Sequence, residues 1–110
     1  MPNVYIRHAN FVKPDDKLSQ DCAALIAATW ELTAEDTCAV WAPYPPNALN
    51  APMIEIEVEA LPGEGTLRQD TAQELAEGLR KLAQAYAAKT GYQGTINAFV
   101  KLLAGEHYAC

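Results

Sequence analysis

The sequence predicts an α/β fold: duplicated β-α-β units forming a four-stranded sheet with two helices on one face. Three observations carry that prediction. The stretches VYIRHA and PMIEIEVEA alternate apolar and polar residues, as strands with one covered face do. Each is followed by a stripe of apolar residues at helical spacing and then by a further strand. The two stretches also correspond at an offset of fifty residues, Pro2 with Pro52, Val4 with Ile54 and Ile6 with Ile56. The pattern is an internal duplication within one domain over residues 1–110, with halves of about 1–50 and 51–110.

In chain order, the first strand puts Val4, Ile6 and His8 on one face and Asn3, Tyr5 and Arg7 on the other. KPDD turns the chain into a helix, with Asp15 or Asp16 as N-cap behind Pro14. Leu18, Cys22, Leu25, Ile26 and Thr29 keep helical spacing to about Trp30. LTAED links to TCAVWA, a second strand, and the proline and asparagine content of PYPPNALNAP makes it a loop. The second half restarts with Ile54, Ile56 and Val58 on one face. Glu55, Glu57 and Glu59 lie on the other, where a solvated surface is expected. PGEGT is a turn, and Leu75, Leu79, Leu82, Ala83 and Tyr86 stripe a longer helix from Leu67 to Lys89. Gly91 and Gly94 close that helix, and TINAFVKLL is the last strand. A right-handed crossover in each half makes its two strands parallel. Both helices then cover one face of the sheet, and the bare face meets solvent or a partner subunit. A ferredoxin-like module, with antiparallel pairing inside each half, is the competing arrangement.

Composition excludes several functions. A net charge of −6 argues against nucleic acid and anionic membrane surfaces, both of which need a basic patch. No apolar run is long enough to span a bilayer, and Arg7, His8 and Asn10 interrupt any signal pattern. Three cysteines, Cys22, Cys38 and Cys110, have no metal-ligand spacing and suit a reducing, cytoplasmic compartment. Cys22 and Cys38 are expected in the core, and Cys110 as a bystander at the chain end. No cofactor or metal motif is present. His8 reads as a core or edge histidine, and His107, in GEHYAC, as part of an exposed end. Trp41, Tyr44 and the PYPP loop are candidates for a pocket wall, although a loop of this composition is more simply an exposed connection.

Pro2 has two readings. Proline is tolerated as the first residue of a strand, where its missing N–H costs nothing. If Met1 is removed, however, Pro2 carries a free secondary amine. An ordinary α-amino group titrates at about 8. An apolar pocket disfavours the cation and lowers that value, leaving a neutral amine able to act as general base. With Met1 attached, the nitrogen is a tertiary amide and accepts no proton.

A Met-Pro start, two β-α-β halves and this length together resemble the tautomerase superfamily. The superfamily includes the 4-oxalocrotonate tautomerase, 5-carboxymethyl-2-hydroxymuconate isomerase and macrophage migration inhibitory factor branches. LTAEDTCAVWAP looks like the family's helix-to-strand link, and GEGTLRQDTAQELAEGL like the turn and second helix of the muconate isomerase branch. LLAGEHYAC is similar to the tail of uncharacterised members, which points to such a branch. The resemblance implies a homotrimer whose bare sheet faces pack around an axis, with pockets near subunit boundaries. It also implies a processed proline moving a proton within a small keto–enol acid whose carboxylate is held by arginine. Residue by residue, Pro2 matches the base. Lys13, after Val12, stands displaced from the arginine that short members carry after their first strand, and Cys38 stands near where they carry a second. Asn97 matches a pocket asparagine of the migration inhibitory factor branch, with Thr95 in place of its aromatic neighbour. Arg68, after the second turn, is a candidate carboxylate binder. Arg7 either faces the oligomer interior as a substrate ligand or pairs with a glutamate on the neighbouring strand.

Two functions stand at this point. One is a cofactor-independent tautomerase with Pro2 as general base and Arg7, Arg68, Asn97 and Lys13 as substrate-binding residues. The alternative is a catalytically inactive protein of the same fold with a ligand-binding or structural oligomeric role.

Overall fold

The structure, a computed structural model, describes residues 2–103. Met1 and the tail with His107 and Cys110 lie outside the described residues. In chain order the elements are β1 (Asn3–His8), α1 (Asp16–Trp30), a 3-10 turn (Ala34–Asp36), β2 (Cys38–Pro43), β3 (Ile54–Ala60), α2 (Leu67–Thr90) and β4 (Ile96–Leu102). The sheet order is β2-β1-β3-β4. β1 runs parallel to β2 and β3 parallel to β4, while β1 and β3 are antiparallel. Parallel pairing within each half is what a β-α-β crossover produces, and it excludes the ferredoxin-like arrangement.

The halves are joined through their first strands. Val4 lies opposite Val58, and Ile6 opposite Ile56. Because the duplication equates Ile6 with Ile56, the internal twofold axis passes through that pair. All four of these side chains are fully buried, on the face covered by Leu18, Cys22, Ile26 and Trp30 of α1 and by Leu75, Leu79 and Ala83 of α2. The two helices approach closely at Gly78, where an added Cβ would sit 2.8 Å from Leu25 Cδ2.

Local chemistry sets the helix ends. The Asp15 carboxylate accepts from the Lys17 N–H at 2.8 Å, which makes Asp15 the N-cap of α1. α2 stops at Gly91, which adopts the left-handed conformation (φ 82°) while its N–H bonds Ala87 O. α1 stops the same way without a glycine: Glu31 holds φ 58°. A side chain there costs about 1 kcal/mol. Glu31→Gly is therefore expected to raise unfolding free energy by about 0.5–1 kcal/mol, read from urea titration; a decrease would show that the Glu31 side chain holds the cap.

Two sequence expectations need correction. Cys38 is exposed, not in the core. Its register opposite Asn3 places it on the uncovered face, whereas Ala39 and Trp41 point to the helices. Glu57 is buried rather than solvated, because β3 is an inner strand and Arg7 lies against its carboxylate.

Candidate functional site

The strand directions define two ends of the sheet. β1 and β2 begin at one end, where β3 and β4 finish. Pro2 lies there, its side chain fully buried and its carbonyl accepting the Cys38 N–H at 3.1 Å. Beside it, Leu103 N–H donates to Ala60 O at 2.8 Å. Arg68, in the first turn of α2, is at the same end. Its Nη1 donates to Leu61 O at 2.9 Å, and its guanidinium stacks 4.8 Å from the Trp30 ring centre. Trp30 Nε1–H in turn donates to Thr71 Oγ1 at 3.1 Å. Arg68 thus ties the β3–α2 loop to the end of α1. Gly63 in that loop (φ 71°) packs against it, with a would-be Cβ 3.3 Å from Arg68 Nε.

Arg7 and Asn97 lie elsewhere. On the uncovered face, Cys38, Asn3, Glu59 and Lys101 form one rung across the sheet. Val40, Tyr5, Glu57 and Phe99 form the next, and Ala42, Arg7, Glu55 and Asn97 the third. Five residues of extended chain, about 17 Å, separate Arg7 from Pro2, and the two point to opposite faces. Arg7 Nη1 donates to Glu57 Oε1 at 2.8 Å, lies 3.9 Å from Glu55 Oε1, and its guanidinium sits 5.3 Å from the Tyr5 ring centre. Of the two places the sequence allowed it, Arg7 takes the ion pair with the neighbouring strand. Asn97 is exposed. Lys13 is exposed in the loop after β1, its backbone held by the Tyr86 and Tyr92 hydroxyls. Within one chain, then, the fold brings Arg68 to the end that holds Pro2 and leaves Arg7, Asn97 and Lys13 toward the other.

Three concavities stand out among the described residues. A groove of about 170 Å³ between α1 and α2 is lined by Asp15, Lys17, Leu82 and Tyr86. A loop cleft of about 270 Å³ lies beside Asn10, Tyr44, Pro46, Asn50 and Pro52. A third, of about 170 Å³, runs between α2 and β4 by Gln73 and Phe99. None of the three is lined by Pro2. In the loop cleft, burial and then Glu55 push the Tyr44 hydroxyl above its ordinary value, with Arg7 opposing them. The PYPP loop does wall a cleft, while Trp41 turns inward, donating to Ser19 Oγ at 3.2 Å and meeting His8 edge-on. His8 is buried and its Nδ1–H donates to Ala9 O at 2.8 Å, as a core histidine should.

The thiols differ sharply. Burial, and secondarily the Asp21 charge, push Cys22 up to about 12, so it stays protonated. In Cys110→Ser protein, Ellman's reagent at about pH 8 is expected to modify Cys38 while leaving Cys22 untouched until unfolding; equal rates would mean that α1 opens readily. Unfolding returns Cys22 to its ordinary 9.0, so the unfolded chain loses a proton first as pH rises. That contribution to stability is whole below pH 9.0 and lost between there and about 12.

No family model matches this sequence, and no curated protein matches it. Its structure, however, is similar to solved ones over nearly its whole length. A 5-carboxymethyl-2-hydroxymuconate isomerase from Deinococcus radiodurans R1 superposes with a TM-score of 0.73 at 13% identity, covering 99% of this chain and 87% of that one. A macrophage migration inhibitory factor-like protein from Entamoeba histolytica gives 0.69 at 10% identity over 99% and 94%. A fused 4-OT described as a symmetric trimer gives 0.65 at 14% over 98% and 90%. The architecture is thus an α/β one in which two β-α-β units share a mixed sheet. It is the fold of these solved structures, as the resemblance in the sequence implied.

Several residues at the Pro2 end were not singled out by sequence. Trp30 as a stacking partner and Thr37 beside Pro2 become visible only when α1, β2 and α2 are brought together. A tryptophan closing α1 and an arginine opening α2 are the only signals the sequence offers for the stack.

Proposed function

We propose that the chain is a cofactor-independent tautomerase acting on a small keto–enol carboxylic acid. With Met1 removed, the Pro2 nitrogen takes a proton from the enol or α-carbon position and returns it to the other end of the conjugated system. The observation that carries this reading is the burial of Pro2 at the start of β1, with the Arg68 cation at the same end of the sheet. The likeness in fold to a muconate isomerase supports it. Apolar surroundings favour the neutral amine, the form that accepts a proton.

Arg7, Asn97 and Lys13 belong to this site only through a second copy, since one chain holds them away from Pro2. We therefore place the pocket at the boundary of a homotrimer, its half-exposed Val40 and Phe99 covered by neighbouring copies. The described similarity to a symmetric trimer supports that assembly, which sedimentation equilibrium would test. Glu55, Glu57 and Glu59 outnumber Arg7 and Lys101 on the uncovered face, so a monocarboxylate suits the site better than a dianion. The whole chain acts as one domain, and the free thiols of Cys22 and Cys38 fit the cytoplasm.

One observation favours the inactive reading. The Arg7 guanidinium is engaged by Glu57, and that of Arg68 by Leu61 O and Trp30. Intact mass followed by ketonisation assays on phenylpyruvate and 2-hydroxymuconate separates the two. A mass lacking methionine with turnover supports the tautomerase; retained methionine, or processed protein without turnover, supports the binding or structural role.

A further inference from the structure

We propose that Thr37 is a positioning residue whose hydroxyl hydrogen-bonds the Pro2 amine of the processed chain. In the parallel ladder Asn3 lies opposite Cys38, so one step earlier Pro2 lies beside Thr37. Pro2 shares its face with buried Val4 and Ile6, and Thr37 shares its face with Ala39 and Trp41, the side toward the helices. Same-face neighbours on adjacent strands stand about 5 Å apart. Thr37 is pinned on both sides: its N–H donates to Ala34 O at 3.2 Å, and the next N–H, of Cys38, donates to Pro2 O at 3.1 Å.

The Thr37 hydroxyl oxygen is the one buried side-chain polar atom without a hydrogen-bond partner among the described residues. Such groups are rare and call for an explanation. The nearest carboxylate in sequence, Asp36, is already engaged, accepting from Thr33 N–H at 3.1 Å and Thr33 Oγ1–H at 3.0 Å. With Met1 attached, Pro2 offers an amide nitrogen with neither a proton nor a usable lone pair. Removing Met1 creates the missing partner. A prolinium N–H donates to the hydroxyl oxygen, and the hydroxyl proton donates to the neutral amine, so Thr37 can hold the nitrogen in either protonation state. The catalytic consequence rests on the tautomerase reading; the hydrogen bond does not.

The bond to the charged form is the stronger, so Thr37 raises the Pro2 pKa. Among the described residues, the other titratable or charged groups around this end are Glu31, Glu35, Asp36, Cys38, Glu59, Glu64, Arg68, Asp70 and Lys101, all left in place when Thr37 changes. The test uses ¹⁵N-proline-labelled protein shown by mass to lack Met1, prepared with co-expressed methionine aminopeptidase. Of the seven prolines only Pro2 then has a titrating nitrogen. Thr37→Val is expected to lower its pKa by about 0.5–1 unit and Thr37→Ser to restore it. With turnover present, kcat should fall about 5–30-fold in the valine variant with KM little changed, and recover with serine.

A chain extended by residues before Pro2 provides a second readout. There Thr37→Val should raise the melting temperature, because it removes an unpaired hydroxyl; in the processed chain it should not. An unchanged Pro2 pKa in Thr37→Val, or the same melting shift in both chains, overturns the proposal even if the enzyme turns over. A shifted pKa without turnover upholds the hydrogen bond and removes the tautomerase reading instead.

Discussion

Pro2→Ala is expected to reduce kcat/KM for enol ketonisation by about 10²–10³-fold in protein whose mass shows Met1 removed. The variant keeps an α-amine, so the loss reflects a changed base rather than a missing one. Alanine at the terminus is a primary amine free to rotate about its own backbone bond, whereas the pyrrolidine ring fixes the nitrogen where β1 begins. The buried ring also fills space at the end of the covered face, and its loss admits water, which moves the amine back toward about 8. Steady-state kinetics with phenylpyruvate would measure the effect. A variant within threefold of the parent would mean that the proton moves elsewhere, and that Pro2 serves only to start a strand.

Ile56→Ala should be the most damaging single change to stability, removing about 3–4 kcal/mol. Ile56 is fully buried on an inner strand, opposite Ile6, and both helices pack over this part of the sheet. A cavity at that point is walled by elements of both halves, so neither helix can collapse into it without leaving its own strands. Domains of this size have about 5–15 kcal/mol in total, so the variant should unfold at markedly lower urea. A loss below about 1.5 kcal/mol would mean that the core rearranges around the twofold axis more freely than its packing implies.

Much of the fold was legible because the strands on the inner positions alternate. VYIRHA and IEIEVEA each declare which face is covered, and the correspondence of Ile6 with Ile56 announces two equivalent units. Helix ends were narrowed to Asp15 or Asp16 and to Gly91 with Gly94, residue types with a specific job at such positions, and the structure selects Asp15 and Gly91. TCAVWA gave no such guidance. Its residues are nearly all apolar, so nothing in the sequence distinguishes Cys38 from Ala39, and the register against Asn3 decides. The burial of Glu57 was hidden for a different reason: it depends on Arg7 reaching across from an adjacent strand.

The candidate site was less legible than the fold. Pro2 could be named because its chemistry follows from position alone. Arg7 was placed by its face of the first strand and Arg68, Asn97 and Lys13 by likeness to other chains, and the structure distributes them between the two ends of the sheet. Arg68 shows the difficulty. As a cation after a glycine-bearing turn it reads as a substrate ligand, yet its partners are a loop carbonyl and an indole ring supplied by α1. Side chains committed to contacts between distant segments leave no local signature.

The axis through Ile6 and Ile56 carries a chemical consequence for the far end of the sheet. Pro52 occupies there the place that Pro2 occupies at the near end, beside the cleft formed by Tyr44 and Asn50. Its nitrogen is locked in the peptide bond from Ala51, and no processing of the amino terminus can release it. Fusing two copies of such a unit into one polypeptide preserves the backbone twice but supplies a free terminus only once. Of the two equivalent positions, only the one at Pro2 can acquire a free amine. Any chemistry that needs a free prolyl amine is thus confined to one end of the sheet, and the residues beside Pro52, in the loop PYPPNALNAP, answer to no such requirement.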